Sequence, residues 1–246
     1  MMSSVAALAY DQIEAIEIAV GDTKHDIGQQ MLWLKDSQNN LSFEQVRSLP
    51  DYNFSRANGD VFSRGYTSSA YWLKFTLSVS PELINNSRWL LDIPFALLDY
   101  VDFYAPNHQG GYSVLETGDR RPFAQRDIDT TNFVFDIRPQ QQQQTYYLHV
   151  KTQDSLQLPL YLWEEDTFLK KSLLVVGLQG IYFGIMIVMA LYNLFIYISV
   201  RERSYLYYTS YISCFTIFQA GLLGYSFEYF WPENTWWANV NIPFFG

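Results

Sequence analysis

Ser172 to Val200 is a run of 29 residues without a charged side chain. A helix that crosses a bilayer needs about 20 consecutive apolar residues to cover about 30 Å of hydrocarbon. This run is longer, so it reads as a helix that crosses with tilt or projects beyond the lipid. A buried helix of a soluble protein is the competing reading, but such helices seldom continue this far without a charge. Ser204 to Phe227 adds 24 uncharged residues, and only Arg201, Glu202 and Arg203 separate the two runs. Backbone amides find no water inside lipid, so each run must satisfy itself as a helix. The expectation is a helical hairpin with two complete spans, near 172–200 and 204–227.

Charge is divided to match. The 246 residues carry 16 Lys and Arg against 25 Asp and Glu, a formal net charge of −9. After Leu169 only Lys170, Lys171, Arg201, Glu202, Arg203, Glu228 and Glu233 are charged. Residues 10–166 therefore read as a charged globular domain and 172–246 as a membrane region. An acidic domain is a poor partner for nucleic acid, whose phosphates demand Lys and Arg. The one cysteine, Cys214, lies in the second run, so the domain has neither a disulfide nor a cysteine metal site. That fits a bacterial envelope better than an extracellular eukaryotic domain.

Ala7-Leu8-Ala9 matches the A-x-A pattern of a signal-peptide cleavage site. Residues 1–9 read either as the remnant of a signal peptide or as an ordinary terminus. The lysine pair before the first run and the arginine pair after it tie the positive-inside count. The remnant breaks the tie and places the domain outside. Asn234 to Gly246 reads as the start of a third span, and the chain reads as truncated at both ends.

The domain is written in strands. Ala70 to Val79 alternates with period two, and 31–34, 88–94, 99–105, 132–138, 145–152 and 158–163 are further short strand-like segments. Asn58-Gly59-Asp60, Asn85-Asn86-Ser87, Gly110-Gly111 and Gly118-Asp119 are turn signals between them. Many short strands with such turns predict an all-β sandwich or jelly roll. Leu41 to Val46 reads as a short helix with Ser42 as cap and Gln45 three residues on. The run Gln140–Gln144 reads as a solvated loop tip.

No catalytic constellation is present: the sequence has no P-loop, G-x-G-x-x-G, G-x-S-x-G or H-E-x-x-H, and His25, His108 and His149 lie far apart. Glu164-Glu165-Asp166 has no histidine or cysteine beside it and reads as a solvated charge run. No catalytic residue, metal or cofactor is expected. For a small ligand the candidate residues are Trp72, Tyr104, Arg121 and Arg126, because such sites combine aromatic faces with a few fixed polar groups. Trp72 reads first as a core residue and second as a ligand face. Arg126 reads either as a partner of Asp99 or Asp102, or with Arg121 as a clamp for an anion. His149 reads as a packing residue. In the first span Gly177, Gly180 and Gly184 share one face, a small-xxx-small spacing that invites another helix. Asn193 lies on the opposite face with Gln179, Tyr182, Met186 and Tyr197 and should meet protein rather than lipid.

Several segments together resemble the 7TMR-DISM family of bacterial seven-transmembrane receptors, in order and spacing. In the domain these are Gly65-Tyr66-Thr67 leading to Tyr71-Trp72-Leu73-Lys74-Phe75, Leu90-Leu91-Asp92-Ile93, Leu98 to Tyr104, Gly118-Asp119 with Pro122-Phe123 and Arg126, and Tyr147-Leu148-His149-Val150. In the membrane part they are Gly180 to Gly184, Ala190 to Phe195 and Arg203 to Tyr208. The resemblance implies a periplasmic jelly-roll sensor of the type 2 extracellular kind, similar to carbohydrate-binding modules, ahead of membrane helices and a cytoplasmic output domain. Only two clear spans and no output domain stand in this chain.

The function expected is that of a sensor portion in a bacterial inner membrane. It would bind a small molecule, carbohydrate-like or other, in the periplasm and pass a change to the helices, with a homodimer as one arrangement. An anchored domain that binds a partner protein without signalling is the first alternative. An envelope enzyme acting on glycans through two carboxylates is the second.

Overall fold

The computed structural model describes residues 15–57 and 59–246. The cleavage-site remnant at 1–9 and Asn58 of the expected turn lie outside the described residues. The described elements in chain order are β1 (Ile16–Ile18), β2 (Lys24–Asp26), β3 (Leu32–Asp36), α1 (Phe43–Ser48), β4 (Ser55–Arg56), β5 (Val61–Tyr66), β6 (Ala70–Val79) and β7 (Trp89–Ile93). There follow β8 (Tyr100–Pro106), β9 (Tyr112–Thr117), β10 (Phe133–Ile137), β11 (Gln143–Lys151), β12 (Ser155–Pro159) and β13 (Tyr161–Glu164). The helices α2 (Glu165–Val200), α3 (Arg203–Leu222), α4 (Tyr225–Tyr229) and α5 (Thr235–Phe245) complete the chain.

Two sheets face each other across one apolar core. The larger has the order β4-β3-β6-β11-β8-β9, with β1 beside β6, and the smaller has the order β10-β7-β13-β2. All pairing is antiparallel except β1 with β6. The alternation in 70–79 has its physical cause here, since successive strand side chains point to opposite faces. Tyr71, Leu73, Phe75, Leu77 and Val79 are buried in the core beside Phe103 and Leu148. Trp89, Leu91, Phe133 and Phe135 meet them from the smaller sheet, with the Phe103 and Phe135 rings 4.7 Å apart. Each such side chain contributes about 1.5–3 kcal/mol by leaving water. The expected sandwich is therefore present as a mostly antiparallel two-sheet domain. The two-stranded ribbon of β5 and β12 adds Phe62, Leu156 and Leu158 to the same core.

The short helix forms where its cap predicts. Ser42 accepts from the Gln45 amide at 3.3 Å, and the Ser42 amide donates to Gln45 Oε1 at 2.8 Å, a reciprocal capping box. The glutamine run is only partly a loop: Gln143 and Gln144 pair with Ser78 and Leu77, and Gln144 is buried.

The first membrane helix starts earlier than expected. Glu164 caps it by accepting from the Thr167 amide at 2.9 Å, so the acidic run forms the helix N-terminus. At 1.5 Å per residue its 36 residues reach about 54 Å, well beyond the hydrocarbon. It is the one described helix long and apolar enough to cross a membrane. The expectation of two complete spans is corrected on two counts. Tyr205, Tyr207, Tyr208, Ser210, Tyr211 and Ser213 keep α3 less apolar, and the helix stops at Leu222 before Gly224 turns left-handed (φ 79°) into α4. The expected third approach is an 11-residue helix, α5.

Candidate functional site

Pairing register gathers two of the four candidate residues, Trp72 and Tyr104, on the outer face of the larger sheet, and a bond to Asp102 brings Arg121 to them. One rung runs Leu34, Trp72, His149, Asp102, Glu116 across β3, β6, β11, β8 and β9. The next runs Leu32, Lys74, Tyr147, Tyr104, Val114. Asp102 is the hub. Its carboxylate meets His149 Nδ1 at 3.0 Å and takes a short bond from Arg121 Nη1, which also donates to the Thr117 carbonyl at 2.9 Å. Burial pushes the Asp102 carboxyl up, but the hydrogen bonds from His149 and Arg121 outweigh it and hold the group below its ordinary value.

The aromatic candidates are roofed by α1. Phe43 stacks on Tyr104 at 4.2 Å and 7° and meets the edges of Tyr112 and Tyr147. Trp72 is 2% exposed, against His149 at 4.5 Å and Tyr104 at 5.5 Å. Burial, with Asp102 and Glu116 adding, raises the Tyr104 hydroxyl to about 12. Trp72 and Tyr104 thus pack on each other under Phe43 and Arg121 is bonded to Asp102 and Thr117, while the buried Trp72 indole N–H has no hydrogen-bond partner. His149 does pack, and its Nδ1 also hydrogen-bonds with the Asp102 carboxylate.

Arg126 stands apart, at the end of the sandwich nearest the helices. It pairs with neither Asp99 nor Asp102; those belong to Arg120 and Arg121. Its Nη1 donates to the carbonyls of Thr130 and Thr131 at 2.6 and 2.7 Å, and its guanidinium lies over Phe123 and Phe133. Burial brings its pKa down to about 10. Arg126 therefore shapes the loop 126–132, which rests on α4. Gly224 packs against Ala96 and Thr131 of the sandwich, the Phe123 amide donates to the Pro232 carbonyl at 3.0 Å, and Phe123 meets Phe227 edge-on at 5.7 Å.

The sandwich also grips α2 directly. Phe168 is buried with Leu90 and Val134 on the outer face of the smaller sheet. Lys171 Nζ reaches Asp92 Oδ2 at 2.6 Å, and Asn132 donates to Asp92 Oδ1 at 2.9 Å. Asp92 is fully buried, so this pair ties the second turn of α2 to the middle of β7. At the helix start, Arg88 bridges Asp136 (3.1 Å) and Glu165. Beside that bridge lies an open cleft of about 790 Å³ whose walls include Thr23, Asn85, Asn86, Ser87, Arg88 and Glu165. Trp89, a core residue whose buried indole N–H has no hydrogen-bond partner, also lines it.

Sequence reasoning missed Phe168, Lys171 and Asp92 as a group. Two signals were there: an acidic first turn followed by Thr167, which marks a helix start, and a lone aspartate in the apolar strand Trp89–Ile93. The helix-packing residues divide. Asn193 is buried and its side-chain amide donates to the Met189 carbonyl at 2.8 Å. Its face, with Met186 and Ala190, is the one turned to Ser213 and Thr216 of α3. A side chain at Gly177, Gly180 or Gly184 would meet nothing within 4 Å, so the glycine face lies open.

Comparison with known families finds two matches. Residues 28–164 match the model described as 7TMR-DISM extracellular 2, and residues 176–246 match the one described as 7TM diverse intracellular signalling. No curated protein matches the chain.

Proposed function

The chain belongs to the 7TMR-DISM family, a membrane protein with its N-terminal domain outside, and from that premise we propose that it is the sensing portion of a bacterial inner-membrane receptor. It reads a small ligand in the periplasm and passes the change to α2. One observation carries this reading: α2 is a single unbroken helix whose first two turns are fastened to the sandwich by Phe168 and Lys171 and whose remainder is a span. A packed helix moves as a unit, so a shift of the smaller sheet reaches the far membrane face.

The ligand cleft we assign is the 790 Å³ opening at the head of α2. Hydroxyl and amide groups from Thr23, Asn85, Asn86 and Ser87, beside the charged Arg88, Arg138 and Glu165, suit a polyhydroxylated molecule such as a sugar. Such a ligand shifts the receptor only by binding one arrangement of Arg88 and Glu165 better than another. The domain is a jelly roll in this reading, supported by neighbours distant in sequence such as β6 with β11 and β7 with β13. Helices α3 and α5 are further membrane helices, supported by the family match over 176–246. The chain is no enzyme, needs no cofactor, and serves a cytoplasmic output domain.

The test is a thermal-stability screen of the whole chain in detergent against mono- and disaccharides. A sugar that raises Tm in the wild type and not in Asn86→Ala supports the cleft. If no sugar moves Tm and a partner protein co-purifies instead, the anchored interaction domain replaces the sensor.

A further inference from the structure

A second cleft, of about 370 Å³, opens where the sandwich, α2 and α4 meet. Its upper wall is the loop Asp129–Asn132, and Lys171 and Ser172 flank it on α2 and Tyr225 and Glu228 on α4. Its lower wall is Val175 and Val176, both exposed. The depth of this cleft follows from the sequence. Lys171 is the last charge before the uncharged run, so it stands among the lipid headgroups. Val175 and Val176 lie one turn further in, about 6–8 Å lower at 1.5 Å per residue, against acyl chains. The cleft is polar above and apolar below, at the boundary itself.

Its charge is also defined. Lys171 is already neutralised by buried Asp92 at 2.6 Å. Arg126 lies behind the loop with its guanidinium bonded to loop carbonyls. Asp129 and Glu228 remain at the mouth; neither forms an ion pair among the described residues, but Glu228 takes a hydrogen bond from Tyr229 and feels the nearby Arg126 charge, which also faces Asp119. Two carboxylates repel an anionic lipid. They reward a cation, above all one with N–H donors that can bond both oxygens.

We propose that this cleft binds a phospholipid with a primary-amine headgroup, of the phosphatidylethanolamine class. The ammonium sits between Asp129 and Glu228, Ser172 and Thr130 offer hydroxyls to the phosphate, and one acyl chain lies along Val175 and Val176. A choline headgroup brings no N–H donor, and a glycerol headgroup leaves the phosphate charge facing the carboxylates. The bound lipid joins α2 to α4 through the headgroup layer. The proposal rests on reading α2 as a span.

The test uses the whole chain, delipidated in detergent and titrated with short-chain phosphatidylethanolamine, phosphatidylcholine and phosphatidylglycerol, with bound lipid counted by native mass spectrometry. The expected result is a preference of about tenfold for the ethanolamine lipid over either other lipid, lost in Asp129→Asn/Glu228→Gln. Asp129→Asn alone, on an exposed loop, keeps the test valid if the double variant unfolds, and should weaken the preference severalfold. Equal binding of the three lipids, or a preference unchanged in both variants, overturns the proposal. Octylamine binding as tightly as the phospholipid overturns the phospholipid as occupant. Flotation with liposomes separates the two readings: a chain that floats without lipid preference loses only this cleft, and one that does not float loses the span as well.

Discussion

Asp92 and Lys171 show how a charge comes to be held inside this molecule. Asp92 is fully buried and keeps its negative charge satisfied through Lys171 and Asn132. Removing one member of such a pair leaves the other uncompensated, at about 3–5 kcal/mol. Lys171→Met should lower stability by that amount in urea titrations followed by tryptophan fluorescence. Asp92→Asn/Lys171→Met, in which no charge is stranded, should recover most of it. Asp119 presents the opposite case. It is buried with one carboxylate oxygen unpartnered, and burial, with Asp99 adding, raises its carboxyl to about 7. Its ordinary value is about 3.9, so the folded state holds the proton better than the unfolded chain. The stabilisation is complete below about pH 4 and drains away as pH rises through 7. Tm should therefore fall from pH 5 to pH 8, and Asp119→Asn, permanently neutral, should flatten that slope. A wild-type Tm level over this range would show that Asp119 is not the group that titrates.

At the level of elements, the first two turns of α2 belong to the sandwich and the rest to the bilayer. Phe168→Ala should empty the site between Leu90 and Val134 at a cost of about 3–5 kcal/mol. Hydrogen exchange should then quicken at residues 165–171 while 180–195 stay protected, because only the docked turns lose their packing. What was legible in the sequence follows the same division. Periodic signals survived: the alternation in Ala70–Val79 became β6, and the capping pair Ser42 and Gln45 became α1. Three-residue strands such as β1 and β2 carry too few residues for a period to show, and their pairing partners at Leu77–Val79 and Tyr161–Trp163 fix them instead. Trp72 and Tyr104 were legible as neighbours in type but not as covered rings, since the cover is Phe43 from a different element. Lys171 read only as one of the lysine pair before the first run, because nothing local announces a buried aspartate 79 residues away.

At the scale of the whole molecule, orientation is the property that everything else depends on. With Cys214→Ser as background, a cysteine at Asn40 should react with a membrane-impermeant maleimide in cells whose outer membrane is permeabilised. A cysteine at Glu202 should react only after the inner membrane is broken. The reverse pattern would put the sandwich in the cytoplasm. The unbroken course of α2 has one more consequence, and it concerns angle. The docked side chains Phe168 and Lys171 and the α3-facing side chains Met186 and Ala190 share one helical screw. One residue inserted after Val176 turns everything below it by about 100° and swings the open glycine face toward where α3 now lies. Seven inserted residues add about 10 Å of length yet return the faces to within about 20° of their present bearing. Natural length variation in this segment should therefore come in sevens, with single insertions tolerated only where the tie between sandwich and span has been given up.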